Sequence, residues 1–170
     1  MLWPQVVKDR IKTGTDLELV HGYPCRSAAP SSLWADLAEG ATNEIFLAGY
    51  TNYFFWSQVP AFPDLLRRGT EAGCRVRFLI GDPDGEVTRQ REVVENTALS
   101  VSSAAADAAA HVALSVFRFD DNALVTPHLA RMVGHDSPML HLRRHAEGGM
   151  FDRFRDHAEE LWGRGVPVTT

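Results

Sequence analysis

The stretch EIFLAGYTNYFFWSQVPAFPDLLRRGTEAGCRVRFLIGDPD, residues 44–84, decides the fold. Glu44 to Tyr50 (EIFLAGY) is a continuous apolar run of strand length, the pattern of a strand buried on both faces. Cys74 to Ile80 (CRVRFLI) reads as a second strand, with Arg75 and Arg77 alternating against Cys74, Val76 and Phe78. An aromatic loop, Thr51 to Pro63, follows the first strand. Pro63 suits the first turn of a helix that turns Leu65, Leu66 and Ala72 inward and stops at Gly73. Strand, helix and strand in this order make a βαβ unit with parallel strands. The second strand ends in Gly81-Asp82-Pro83-Asp84. There Asp82 suits the cap, and Pro83 the first position, of a further helix through Val87, Arg91, Val94 and Ala98.

Working outward, Leu17 to His21 (LELVH) is a short strand. Ser31 or Ser32 caps a helix with Leu33, Trp34, Leu37, Ala38 and Ala41 on one face. Ser100 to Ala110 (SVSSAAADAAA) reads either as a helix from Ala104 or as a poorly ordered crossing. Val112 to Phe119 (VALSVFRF) and Ala123 to Thr126 (ALVT) flank Asp120-Asp121-Asn122, a hairpin signal. Met139 to Leu142 (MLHL) is another strand. Met150, Phe151, Phe154, Ala158, Leu161 and Trp162 form a helical stripe ended by Gly163 and Gly165. The expected architecture is one α/β domain over residues 1–170. It has a mixed sheet containing a βαβ unit, a late β-hairpin and flanking helices. Residues 1–16 are an N-terminal extension and residues 100–110 an Ala-rich crossing.

The 170 residues are 45% apolar and 23% charged, ordinary globular composition. With 17 basic and 22 acidic residues the net charge is −5, which argues against a dedicated nucleic-acid binder. Lys8 and Lys12 are the only lysines; the Arg-over-Lys bias fits GC-rich coding. Cys25 and Cys74 make no disulfide framework and read as reduced thiols. MLWPQVVKDRIK meets charge by Lys8 and has no signal-peptide core. No stretch approaches the ~20 apolar residues of a membrane helix. A cytoplasmic protein without membrane contact is expected.

In an open parallel sheet, ligands gather beyond the carboxyl ends of the strands. Those ends are Gly49-Tyr50-Thr51-Asn52-Tyr53 and Gly81-Asp82-Pro83-Asp84. The histidines bunch late, at His111, His128, His135, His141, His145 and His157. A metal site would draw on His128, His135, Asp136 and His141, but HExxH and CxxC are absent, and no metal is expected. There is no GxSxG elbow and no phosphate-cradling Gly loop, so neither a catalytic residue nor a cofactor is expected.

Five segments, taken in order, carry a resemblance: LWADLAEGATNEIFLAGY (Leu33–Tyr50), RVRFLIGDPD (Arg75–Asp84), LSVFRFDDNALVTPHL (Leu114–Leu129), PMLHLRR (Pro138–Arg144) and FDRFRDHAEELW (Phe151–Trp162). Together they resemble a phospholipase-D-like half-domain, of the kind that follows a helix-turn-helix in actinobacterial transcriptional regulators. Active members carry His-x-Lys-x4-Asp, with the His as nucleophile and the Lys on the phosphate. Here the motif is broken in every register. Anchored on His111, Ala113 and Arg118 stand at the Lys and Asp positions. Anchored on Asp120, Ala113 and Ser115 stand at the His and Lys positions; anchored on Asp121, Leu114 and Val116 do. Thr126-Pro127-His128 replaces the Gly-Ser-x-Asn pattern, and SVSSAAADAAA replaces a Gly-Val-x-Val strand.

The resemblance therefore implies a non-catalytic regulatory or sensor domain that binds a small, anionic ligand or a protein partner and pairs as a homodimer. The candidate ligand site comprises Tyr50, Asn52, Asp82, Ser115, Arg118, His128 and His141. Arg118 is the expected anion contact, through its fork of donors. The alternative is a phosphodiesterase or nuclease with rewired residues, using His111 or His128. A third reading makes the aromatic loop an interaction surface. With no helix-turn-helix in the chain, direct nucleic-acid binding is not expected.

Overall fold

The computed structural model describes residues 17–82, 84–85, 89, 114–129 and 132–167. The expected N-terminal extension, the helix from Pro83 through Ala98 apart from isolated positions, and the Ala-rich crossing lie outside the described residues.

The chain is α/β. Its strands are β1 (Leu19–Tyr23), β2 (Glu44–Ala48), β3 (Arg75–Leu79), β4 (Leu114–Phe119), β5 (Asn122–Pro127) and β6 (Met139–Arg143). Its helices are α1 (Ser31–Gly40), α2 (Tyr53–Gln58), α3 (Phe62–Glu71) and α4 (Met150–Arg164), with a short 3-10 turn at Arg26–Ala28. The six strands form one sheet in the order β1-β6-β5-β4-β2-β3. β2 and β3 pair in parallel, Phe46 opposite Arg77, as the βαβ reading requires. All other pairs are antiparallel, so the sheet is mixed.

β2 is apolar throughout because both of its sides are covered. Ile45 and Leu47 face α1, α2 and α3, packing with Trp34, Phe55, Phe62, Phe117 and Leu124. Phe46 and Ala48 face α4, packing with Val116, Val125, Leu142, Phe151 and Ala158. Each fully buried Phe of this kind contributes roughly 2–3 kcal/mol of apolar burial.

The turns follow from their residues. α3 ends in a Schellman arrangement, in which the Cys74 amide donates to the Gly69 carbonyl at 2.8 Å and the Gly73 amide to Thr70 at 3.0 Å. Gly73 sits at φ 93°, where a side chain would be strained. The β4–β5 hairpin turns at Asp120-Asp121, with Asp120 at φ 50°. The Asp120 carboxylate accepts the amides of Thr42 at 2.8 Å, Asn43 at 3.0 Å and Glu44 at 2.7 Å, pinning the hairpin to the start of β2. Burial pushes this carboxyl upward, but those amides outweigh it and hold it below the ordinary aspartate range. Just before β1, Glu18 accepts the amides of Met150 and Phe151 and caps α4. A Cβ at Gly149 would collide with that carboxylate.

One element differs from expectation. The aromatic stretch Thr51 to Pro63 contains helix α2 instead of being loop throughout. Its inner residue Phe55 is fully buried, stacked on Phe62 at 4.6 Å. Tertiary packing thus holds a six-residue helix that has no capping side chain.

Candidate functional site

At the carboxyl end of β2 the chain must turn sharply to enter α2. Asn52 makes that turn at φ 51°, a left-handed conformation asparagine tolerates. Its side-chain Nδ2 donates to the Leu47 carbonyl at 3.2 Å and to the Leu79 carbonyl at 3.4 Å. The Gly49 amide also donates to Leu79, at 3.1 Å. Asn52 therefore clasps the ends of the two parallel strands.

With Nδ2 committed, Oδ1 points the other way, over Gly49. Asn52 is only 5% exposed, and its Oδ1 has no hydrogen-bond partner among the described residues. A Cβ on Gly49 would lie 2.5 Å from Asn52 Oδ1, 3.2 Å from Ser115 Oγ and 3.5 Å from the Phe117 ring. The absence of a side chain at Gly49 thus lets Asn52 Oδ1 and Ser115 Oγ pack closely against the end of β2. Ser115, 2% exposed on β4, is hydrogen-bonded to His128 Nε2 at 2.8 Å. The Tyr50 ring lies 5.7 Å from the His128 ring.

These residues form the floor of a cavity of about 620 Å³, within the range of small-molecule sites. Buried Trp34 and Phe117 join the floor, and exposed Tyr53, Ser57 and His135 form the rim. Opposite α2, the wall is two loops tied together. The Arg26 amide donates to the Ser137 carbonyl at 2.8 Å, and the Ser27 amide to His135 at 3.1 Å. The Arg26 guanidinium lies over the Phe54 ring at 4.3 Å and lines the cavity. No aspartate or glutamate stands among the described lining residues.

The structure brings together four of the seven residues proposed from sequence, namely Tyr50, Asn52, Ser115 and His128. The other three stand elsewhere. Arg118 faces the opposite side of the sheet, under α4, because β4 alternates and positions 115 and 118 point oppositely. There it donates to Glu159 at 2.8 Å and is also bonded to Glu44. Arg118 is thus neutralised inside the fold and does not meet an anion in the cavity. His141 Nε2 is bonded to Asn122 Oδ1 at 3.1 Å, away from the cavity lining. Burial, and then the charges of Arg143 and His21, lower its pKa below the ordinary histidine value. Asp82 is exposed and accepts the Asp84 amide at 2.9 Å, a local turn outside the lining.

Sequence reasoning missed Arg26, Trp34 and Phe54 as lining residues and had Gly49 only as part of the strand-end loop. Gly49 carried a signal, as a glycine at the end of a buried strand where close approach is expected. Arg26 carried none, since its place depends on loop contacts distant in sequence. Among the described residues, no group of three His, Cys, Asp or Glu side chains is placed to hold a metal ion. No helix of the described residues is long and apolar enough to cross a membrane.

No protein-family model and no curated protein matches the chain. A solved structure does. It is that of TrmBL2, an archaeal chromatin protein described as showing a novel mode of DNA binding. The TM-score is 0.54 at 15% sequence identity, over 96% of this chain and 58% of TrmBL2. The chain therefore shares a fold with part of TrmBL2 and spans 58% of its length.

This finding corrects one expectation. The exclusion of direct nucleic-acid binding does not stand, because a fold covering nearly all of this chain occurs in a DNA-binding protein. The physical reason is that net charge sums over the whole surface, whereas phosphates are contacted locally.

Proposed function

We propose that this chain is a non-catalytic regulatory domain of phospholipase-D-like fold that binds a small ligand in the cavity above Gly49. The observation that carries the reading is the cavity of about 620 Å³ at the carboxyl end of β2, lined by Ser115 and by Asn52, whose buried Oδ1 has no partner among the described residues. The hairpin turns at Asp120-Asp121; with Asp120 as the anchor, Ser115 stands at the family's Lys position. In that register Asp120 is occupied with backbone amides and Ser115 carries no charge, which supports binding over covalent catalysis.

The likeness to TrmBL2 supports a setting in a protein that works on DNA. Fluorescence anisotropy with a labelled duplex tests this: binding should weaken steeply as salt rises. No binding at low salt removes DNA contact from the proposal.

A thermal-shift screen of metabolites tests the ligand site. A ligand at about a hundred times its Kd should raise the Tm by roughly 5–10 °C. Ser115→Ala should weaken that response while the unliganded protein remains folded. A panel without a single stabilising compound would count against the site.

The hydrolase reading is the second, favoured by the 2.8 Å contact of Ser115 with His128 in a cleft. Turnover of bis(p-nitrophenyl) phosphate that is lost in His128→Ala would establish it in place of the binding reading.

A further inference from the structure

We infer that two copies of this chain pair through β3, edge to edge and antiparallel, into one continuous sheet. This contact is independent of what the cavity binds, since neither β3 nor Trp56 stands among the described lining residues.

The two edges of the sheet are built differently. β1, at one edge, pairs irregularly with β6, its register shifting between Leu19 and His21. Such a break bends a strand and spoils it as a template for another. β3, at the other edge, keeps unbroken register with β2 from Arg75 to Leu79. Among the described strands it pairs with β2 alone. The Arg75 amide points to β2 and donates to the Asn43 carbonyl at 2.9 Å, and the Leu79 carbonyl accepts the Gly49 amide at 3.1 Å. Strand alternation therefore turns the amides and carbonyls of Val76, Phe78 and Ile80 outward, where another strand can meet them.

The side chains at those three positions form an apolar row. Val76 packs with the α1, α2 and α3 side of the core, and Phe78, on the same face, stacks on Trp56 of α2 at 6.0 Å. Phe78, Ile80 and Trp56 are exposed. No lysine or proline interrupts residues 75–80 to blunt the edge. Arg77 points to the other face, where Glu44 and Glu159 hold it.

The charges choose a second copy as the partner and set its direction. Arg75 opens the edge; it reaches Glu44 at 2.5 Å yet keeps 67% of its side chain exposed. Exposed Asp82 and Asp84 close the edge. An antiparallel copy sets each positive end beside a negative one, twice by symmetry. With the two-fold axis at Phe78, Phe78 faces its counterpart, Val76 faces Ile80 and Arg77 faces Leu79. An axis at Arg77 would oppose two arginines, and an axis at Leu79 would set Val76 against Asp82.

Light scattering on the eluting protein tests the pairing, and the native chain should show twice the chain mass. Phe78→Lys and Phe78→Glu each place like charges on the axis. Each should weaken dimerisation about tenfold or more, while cooperative unfolding is retained because the position is exposed. An equimolar mixture of the two variants should recover the double mass, since lysine meets glutamate only where position 78 faces itself. Arg75→Glu leaves the apolar row intact and should also weaken the dimer, about threefold or more. A native monomer would overturn the pairing, the edge then being covered by a further part of the chain or left to solvent. A dimer that both Phe78 variants leave intact would overturn it by placing the contact on another face. Monomeric variants that do not recover on mixing would overturn the axis at Phe78, and a dimer indifferent to Arg75→Glu would overturn the antiparallel sense.

Discussion

The two faces of the sheet both bury polar groups, and they treat them in opposite ways. Under α4, Glu44, Arg77, Arg118 and Glu159 satisfy one another. Arg77 donates to Glu44 at 2.9 Å and to both oxygens of Glu159 at 2.8 and 2.5 Å, while lying over the Phe46 ring at 4.2 Å. Under α1 and α2, Asn52 Oδ1 has no partner among the described residues. The charged cluster is closed and joins helix to sheet. The uncharged one is open and faces a cavity. Buried polarity alone therefore does not mark a site; what marks it is a buried group whose bonding is incomplete and which borders on space.

The sharpest way to break this contrast is to open the closed face. Glu44→Ala removes the carboxylate shared by Arg77 and Arg118, leaving both cations to Glu159. The expected loss is about 3–5 kcal/mol, measured by urea denaturation. A loss below about 1 kcal/mol would mean that the cluster does not hold α4 in place. Asp120→Ala, which strips three backbone amides of their acceptor, should cost about 2 kcal/mol by the same measurement.

Acid provides a gentler test. The hydrogen bond from Arg77, opposed by burial and reinforced by Arg118, draws the Glu159 carboxyl down to about 2. The unfolded chain binds that proton more readily than the folded one. The contribution is therefore complete above about pH 4.5 and is lost as pH falls toward about 2. Because Glu159 is partly exposed, solvent screening limits it to about 1 kcal/mol. Glu159→Gln should flatten stability over that interval; an unchanged acid limb would show that other carboxylates govern it.

Ser115→Ala should have the smallest effect on stability, about 1 kcal/mol or less, and a large effect on ligand response. If stability falls by several kcal/mol, Ser115 and His128 belong with the closed kind of polarity and not with a site.

Much of this contrast was legible beforehand. The apolar run of β2, the helix between two parallel strands, the aspartate-rich hairpin turn and the stripe of α4 each follow from local patterns, and the structure has them. The site was legible in part, because the open-sheet rule points to the strand ends where Tyr50 and Asn52 lie. Arg118 shows a signal that was present and unused. Three residues from Ser115 along a strand is an odd step, so both could not enter one cavity. α2 had no comparable signal, since the short aromatic run Tyr53 to Trp56, followed by Pro60 and Pro63, does not carry helical periodicity. The Arg26 wall is a product of tertiary contacts alone.

The cap that Glu18 supplies to α4 has a kinetic meaning. β1 is an edge strand with four of its five residues exposed, and on its own it would be the first element to fray. Yet the residue just before it holds the amides that open the last helix. Peeling β1 away uncaps α4, and unwinding the start of α4 frees β1. The two should therefore exchange their amide hydrogens as one cooperative unit, with the first strand and the last helix opening together and closing together.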